Sequence, residues 1–216
     1  MEQFVRTEQI EVSSIGKGTL FSPHQPEALI IFAHGGGSSR LSPRNIHVAE
    51  GLAQNGFACL LFDLLNEKEA ADRKNIFDIS LMGARVKQAI DWTAQRQDLA
   101  NLPIGLFGAS TGAAAAFVGA ARSDRVFAIV SRGGRPDLAM ETLPDISAPT
   151  LLIVGGQDVE TVDLNREALR CLTCARRLEM IPGATHLFEE PGALDTVAAS
   201  AAAWFRKHLP VLAASP

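Results

Sequence analysis

Three cysteines in a chain of 216 residues cannot build a disulfide framework. Cys171 and Cys174 form a lone C-x-x-C with no second Cys or His pair at zinc-finger spacing, and they fall late in a helical pattern. They read as two half-buried helix cysteines rather than a metal or redox centre. With Cys59 inside an apolar run, the usage is that of a reduced, cytoplasmic protein. No apolar stretch approaches the roughly 20 residues that cross a bilayer. The opening Met1-Glu2-Gln3-Phe4-Val5-Arg6 has neither an apolar core nor a cleavage signal, so no membrane partner and no secretion are expected. A basic excess is missing as well: the net charge is −4 and no basic stretch offsets it, which argues against nucleic acid as a partner. There is no Walker glycine–lysine signature, no internal repeat, and no low-complexity linker beyond a short polar loop at 66–75. What remains is an ordinary globular composition, 47% hydrophobic and 20% charged, sufficient for one domain over residues 1–216 with a sizeable core. A frayed tail is expected from about residue 210.

The most informative segment that is present is Gly108-Ala109-Ser110-Thr111-Gly112. It follows the apolar run 104–107 and precedes the helix-prone 113–118, so this G-x-S-x-G lies in strand–turn–helix context. A sharp turn of that kind holds a serine in a strained conformation, and glycines on either side let strand and helix approach without a Cβ clash. The hydroxyl is exposed at the strand's C-terminal edge, and the first N–H of the new helix, that of Thr111, points toward developing negative charge. A serine hydroxyl is a weak nucleophile near pH 7 and needs a base, which itself needs an orienting acid.

Both appear downstream. Residues 150–155 read as a buried strand that runs into a loop carrying Asp158, and residues 177–181 as a second strand that leads to His186. Ser110 then acts as nucleophile, His186 as base, and Asp158 fixes the imidazole tautomer. Asp158 could instead simply cap a helix over 162–172, and Glu160 and Asp163 are rival acids, but Asp158 is preferred because it lies first past the strand end. Of the other histidines, His24 lies too early, His34 precedes a glycine run, His47 falls on an amphipathic helix, and His208 sits at a helix C-terminus. The glycine run Ala33-His34-Gly35-Gly36-Gly37-Ser38-Ser39 follows the strand 29–32 and can turn main-chain N–H groups toward a substrate oxygen. Gly36 is the expected second oxyanion donor beside Thr111, with Gly37 next.

Short continuous apolar runs at 57–62 and 126–130 complete a set of doubly buried strands, as in a parallel sheet. Helical periodicity links them, with Ile79, Met82, Val86 and Ile90 on one stripe and Leu194, Val197, Ala201 and Phe205 on another. Alternating strands and helices predict a three-layer α/β sandwich with right-handed crossovers, and residues 9–21 an antiparallel hairpin at one edge. Only a short helix fits between 130 and 150, so no cap domain is expected, and the site should be open and suited to small substrates.

With these pieces in place the chain resembles the dienelactone-hydrolase-like branch of the α/β-hydrolase superfamily, over residues 29–209. The resemblance is carried by the glycine run, the serine turn, Ser131-Arg132-Gly133-Gly134-Arg135-Pro136 and Pro182-Gly183-Ala184-Thr185-His186-Leu187-Phe188. It implies a cofactor-free hydrolase fold without a resident metal. Some similar proteins join this domain to a phosphoribosyltransferase-like one. Dienelactone hydrolases proper use a cysteine nucleophile; Ser110 stands at that position and favours general ester hydrolysis through an acyl-enzyme. A thioesterase, amidase or acyltransferase would use the same parts, and a non-catalytic binding protein could keep the scaffold. Arg132 and Arg135 follow a strand end, where ligands of open α/β sheets bind, and Arg40 and Arg44 follow the glycine run. A guanidinium clamps carboxylate or phosphate, whereas salt bridges to Asp137, Glu189 or Glu190 would use these side chains up. Arg132 is the one kept as a substrate-binding candidate.

Overall fold

The computed structural model describes residues 5–12 and 15–211. Eight strands form one sheet in the order β1-β2-β4-β3-β5-β6-β7-β8. These are β1 (Val5–Val12), β2 (Gly16–Pro23), β3 (Ala28–Ala33), β4 (Phe57–Phe62), β5 (Ile104–Ala109), β6 (Val126–Arg132), β7 (Thr150–Gly155) and β8 (Arg176–Ile181). From β4 to β8 neighbouring strands are parallel, whereas β1 pairs antiparallel with β2 and β2 antiparallel with β4. The expected edge hairpin is therefore present, longer at both ends than 9–21, and its connection at 13–14 lies outside the described residues, as does the tail beyond 211.

The doubly buried strands follow from sequence: every residue of β3, β4, β5 and β7 is buried, because helices cover both faces. One face packs Leu29, Ile31, Leu60 and Leu106 against α3 (Ile79–Thr93) and α4 (Thr111–Ala120), and further along against α5 (Val159–Cys171). The other packs Ile30, Phe32, Phe107 and Ile153 against α1 (Pro43–Gln54) and α6 (Ala193–His208). Odd and even positions of β3 thus serve two cores, which is the alternation a strand requires.

No domain is inserted after β6. Its successor is a 3₁₀ segment, Pro136–Asp145, that packs on α4 and α5. The polar stretch 66–75 is not a plain loop. It contains a short helix α2 (Glu67–Ala71) started by a capping box, in which Asn66 Oδ1 accepts from Glu69 N–H and Glu69 Oε2 accepts from Asn66 N–H, and a 3₁₀ turn Asn75–Phe77 follows. Cys171 ends α5, but Cys174 lies beyond the helix, since Leu172 has left it; all three cysteines are free thiols. Among the described residues no helix is long and apolar enough to cross a membrane.

Candidate active site

All the chemistry-bearing residues gather at the C-terminal edge of the parallel strands. Ser110 links β5 directly to α4 with φ 53° and ψ −124°, a strained backbone for a residue with a Cβ. The turn is tied from both sides: Ser110 N–H donates to Arg132 O at 3.2 Å, and Ser110 O accepts from Ala113 N–H at 3.1 Å and Arg135 N–H at 3.0 Å. Glycine is needed around it because backbones nearly touch. A Cβ on Gly112 would stand 2.2 Å from Ala33 O and 2.4 Å from His34 O, and one on Gly108 would meet Ala113 Cα at 2.4 Å. A Cβ on Gly35 would stand 3.2 Å from Ser110 Cβ, so the glycine run lies directly against the serine.

Asp158 begins α5 just past the end of β7, and its two carboxylate oxygens make separate contacts. Oδ1 caps the helix, accepting from Thr161 N–H at 3.5 Å, while Oδ2 faces His186 Nδ1 at 2.6 Å. Burial pushes its carboxyl up, but hydrogen bonds from Thr161 and His186 and the charge on His186 outweigh it, leaving Asp158 below the usual carboxylate range. The rival acids point elsewhere: Asp163 pairs with Arg166 at 3.0 Å on the surface, and Glu160 is exposed. Because Nδ1 faces the carboxylate, Nε2 of His186 is the nitrogen left for proton transfer. The imidazole is half-exposed and leans on Gly133, where a Cβ would come 3.1 Å from His186 O and 3.6 Å from Cε1. That packing was not read from the sequence, although Gly133 at φ 51° in a Gly-Gly pair is the signal for it. Among the described residues no hydrogen bond joins Ser110 Oγ to His186, a looseness common before substrate binds.

The glycine run carries a finding that sequence could not supply. Gly36 N–H donates to Thr111 Oγ1 at 2.7 Å, so the expected oxyanion donor is occupied at rest by the side chain of the other expected donor. Thr111 N–H is the first amide of α4, without an intrahelical acceptor and without a side-chain cap. Gly37 has φ 72°, the left-handed conformation glycine tolerates. His34 is buried structure: Nδ1 donates to Gly35 O at 2.9 Å and Nε2 accepts from Leu64 N–H at 3.0 Å. Desolvation pushes its pKa down, in keeping with a neutral ring. Above the run, Ile76 closes in, since a Cβ on Gly36 would be 2.6 Å from Ile76 Cγ2. The cover over the glycine run thus comes from the stretch around α2.

A cavity of about 760 Å³ opens beside the run, lined by Lys17, Gly36, Gly37, Arg40, Lys68 and Ile76 among others. Neither Ser110 nor His186 lines it, so the candidate site rests on the Asp158–His186 geometry rather than on the cavity. No cluster of three or more His, Cys, Asp or Glu suited to a metal occurs among the described residues.

The arginines divide. Arg40 bonds Asp63 at 2.5 Å, Arg44 bonds Glu189 at 3.1 Å and Arg135 bonds Asp137 at 2.8 Å. Arg132 is not beyond the strand, as expected, but is the last residue of β6, with its side chain turned inward and only 8% of the residue exposed. Its Nη2 donates to Asn45 Oδ1 at 3.3 Å and its guanidinium lies 5.9 Å from the Phe188 ring centre.

Comparison with known proteins agrees with this architecture. A crystal structure of a dienelactone hydrolase from Anabaena variabilis ATCC 29413 is 47% identical, covers 97% of this chain and 100% of its own, and superposes with a TM-score of 0.91. Est1E from Butyrivibrio proteoclasticus, at 16% identity and a TM-score of 0.76 over 94% of this chain and 98% of its own, shares the fold. A Mycobacterium tuberculosis (strain CDC 1551 / Oshkosh) protein named "Putative phosphoribosyl transferase" is 52% identical over 193 residues, 89% of this chain but 44% of that protein. The chain thus spans under half the length of the curated relatives it matches. The model of the dienelactone hydrolase family matches residues 17–214, and the chain belongs to that family of α/β-fold hydrolases.

Proposed function

We propose that the protein is a serine hydrolase that cleaves small carboxylic esters through an acyl-enzyme. The observation that carries the reading is the 2.6 Å contact between Asp158 Oδ2 and His186 Nδ1 at the strand edge where Ser110 holds a strained turn. Ser110 Oγ attacks the ester carbonyl while His186 Nε2 takes its proton, and Asp158 holds the imidazolium. The oxyanion is held by Thr111 N–H and by Gly36 N–H, the latter once the Thr111 hydroxyl has turned away, with Gly37 as the neighbouring donor. His186 then passes its proton to the leaving alkoxide as the acyl C–O bond breaks. Water, deprotonated by His186, releases the acid and restores Ser110. Arg132 is the substrate-binding candidate beside the triad. The scheme needs no cofactor and takes a small-molecule ester as its partner.

A fluorophosphonate probe should label Ser110 in the wild type, and nitrophenyl esters should be hydrolysed with a preference for acetyl and butyryl over octanoyl and palmitoyl. Each buried methylene would add about 0.8 kcal/mol in a deep tunnel, which a site covered only by the short stretch around Ile76, with no inserted cap domain, is not expected to offer. Acyl-CoA thioesters run in parallel decide the leaving-group class. Labelling at another residue, with Ser110→Ala still active, overturns the assignment.

A further inference from the structure

Three of the four arginines around the site are neutralised by Asp63, Glu189 and Asp137; Arg132 is not. Its only protein hydrogen bond is the long one to the neutral amide of Asn45, and Nη1 is buried with no partner among the described residues. Burial, and after it the positive charge of Arg44, depress its pKa to about 10. Holding a desolvated cation beside another cation costs free energy unless an anion joins them.

The surroundings are suited to receive one. Arg44 comes close enough to repel Arg132, and its own Nε is buried and unpartnered. Arg44 and Asn45 belong to the first turn of α1, a 12-residue helix that has no side-chain cap at Ser42 and no acidic residue in that turn. Pro43 has no N–H and Ile46 N–H bonds Ser42 O, so the uncapped amides are those of Arg44 and Asn45, and such amides at a helix start favour anions. The carboxylate that Arg44 engages among the described residues is Glu189, 63% exposed on its side chain, and so exposed an ion pair contributes little for a ligand to displace.

We propose that Arg132, Arg44 and the first turn of α1 form an oxyanion subsite for a phosphate-monoester group. Two guanidiniums and a helix start match a dianion, whereas a carboxylate is matched by one guanidinium. The subsite adjoins the catalytic edge. Arg132 pairs in register with Ala109, the residue before Ser110, and Gly133 next to it packs on His186. Resting on the ester-hydrolase reading, the substrate class becomes an ester or lactone that bears a phosphate group.

The test separates the two ideas by using Ser110→Ala protein, which has no nucleophile. Inorganic phosphate and acetate are titrated by calorimetry at constant ionic strength. Phosphate should bind at least about tenfold more tightly than acetate, and Arg132→Met and Arg44→Gln should each weaken phosphate binding at least about tenfold. Without ligand, Arg132→Met should melt no lower than its parent, because a buried unpaired charge has been removed. Arg44→Gln alters a surface-reaching side chain and decides the matter if Arg132→Met fails to fold. Absence of phosphate binding, equal binding by both variants, or acetate bound as tightly as phosphate overturns the subsite. An inactive wild type that still binds phosphate overturns the ester reading alone.

Discussion

Asp158 and His186 meet in a hydrogen bond that is already made, whereas Ser110 and the proposed oxyanion donors are held in a state that, on the proposed mechanism, substrate must alter. The acid–base half stands on a helix start and a strand end, with Asp158 capping α5 as it orients the ring. The nucleophile half is packed backbone against backbone through Gly35, Gly108 and Gly112, and its Gly36 amide is spent on the Thr111 hydroxyl. The difference teaches that one half is preorganised by side-chain hydrogen bonds and the other by steric exclusion, so the two should respond differently to substitution.

The largest effect belongs to the nucleophile half. Ser110→Ala should abolish ester turnover, by on the order of six decades if the triad acts as a unit, while the melting transition stays cooperative. Nitrophenyl acetate kinetics with a thermal melt measures both, and residual turnover within a hundredfold of wild type would break the comparison at its first point. Next is Asp158→Asn in the acid–base half, which favours the wrong histidine tautomer and should cost about four decades in kcat. Substituting Glu160 or Asp163 should leave kcat nearly unchanged; a larger loss there would move the acid.

Thr111→Val sharpens the contrast further. It keeps the shape but removes the acceptor for Gly36 N–H. Since a net hydrogen bond is worth about 0.5–1.5 kcal/mol, freeing that amide should raise kcat by roughly two- to tenfold with little change in KM. A large drop instead would mean that the hydroxyl itself holds the oxyanion.

The smallest effect is on stability. The folded carboxyl of Asp158 lies below its unfolded value, so its contribution is complete above the usual carboxylate pKa of about 4 and is lost as pH falls through the lower folded value. The melting-temperature difference between wild type and Asp158→Asn should therefore shrink below about pH 4. A difference that stays constant through the whole acid range would assign it to geometry rather than charge.

How much of this was legible depends on the distance over which each feature is encoded. The buried strands are local signals, since a continuous apolar run such as Leu29 to Phe32 needs only helices on both sides. That Ser110, Asp158 and His186 lie in the turns that follow β5, β7 and β8 was readable because each comes after a strand signal. Asn66 and Glu69 spell a capping box three residues apart, yet a polar stretch masked it. The Gly36–Thr111 bond spans 75 residues and leaves no mark in either segment, whereas the Arg44–Glu189 pair, 145 residues apart, was legible only as one of several salt bridges open to the arginines near the site. Arg132 was hidden for another reason: a charged residue at a strand end is ordinarily taken to face solvent, and only packing turned it inward.

The order of the sheet has one more consequence, for how copies of the chain meet. Its two outermost strands are β1 and β8, each leaving a row of backbone groups open on one side. Arg6, Glu8 and Glu11 punctuate the first, and Arg176, Arg177 and Glu179 the second. A neighbouring molecule that tried to extend the sheet would have to place its own backbone against these charges and strip their water. Charged edges of this kind weigh against extension of the sheet, and the apolar strands that build the core sit away from either edge.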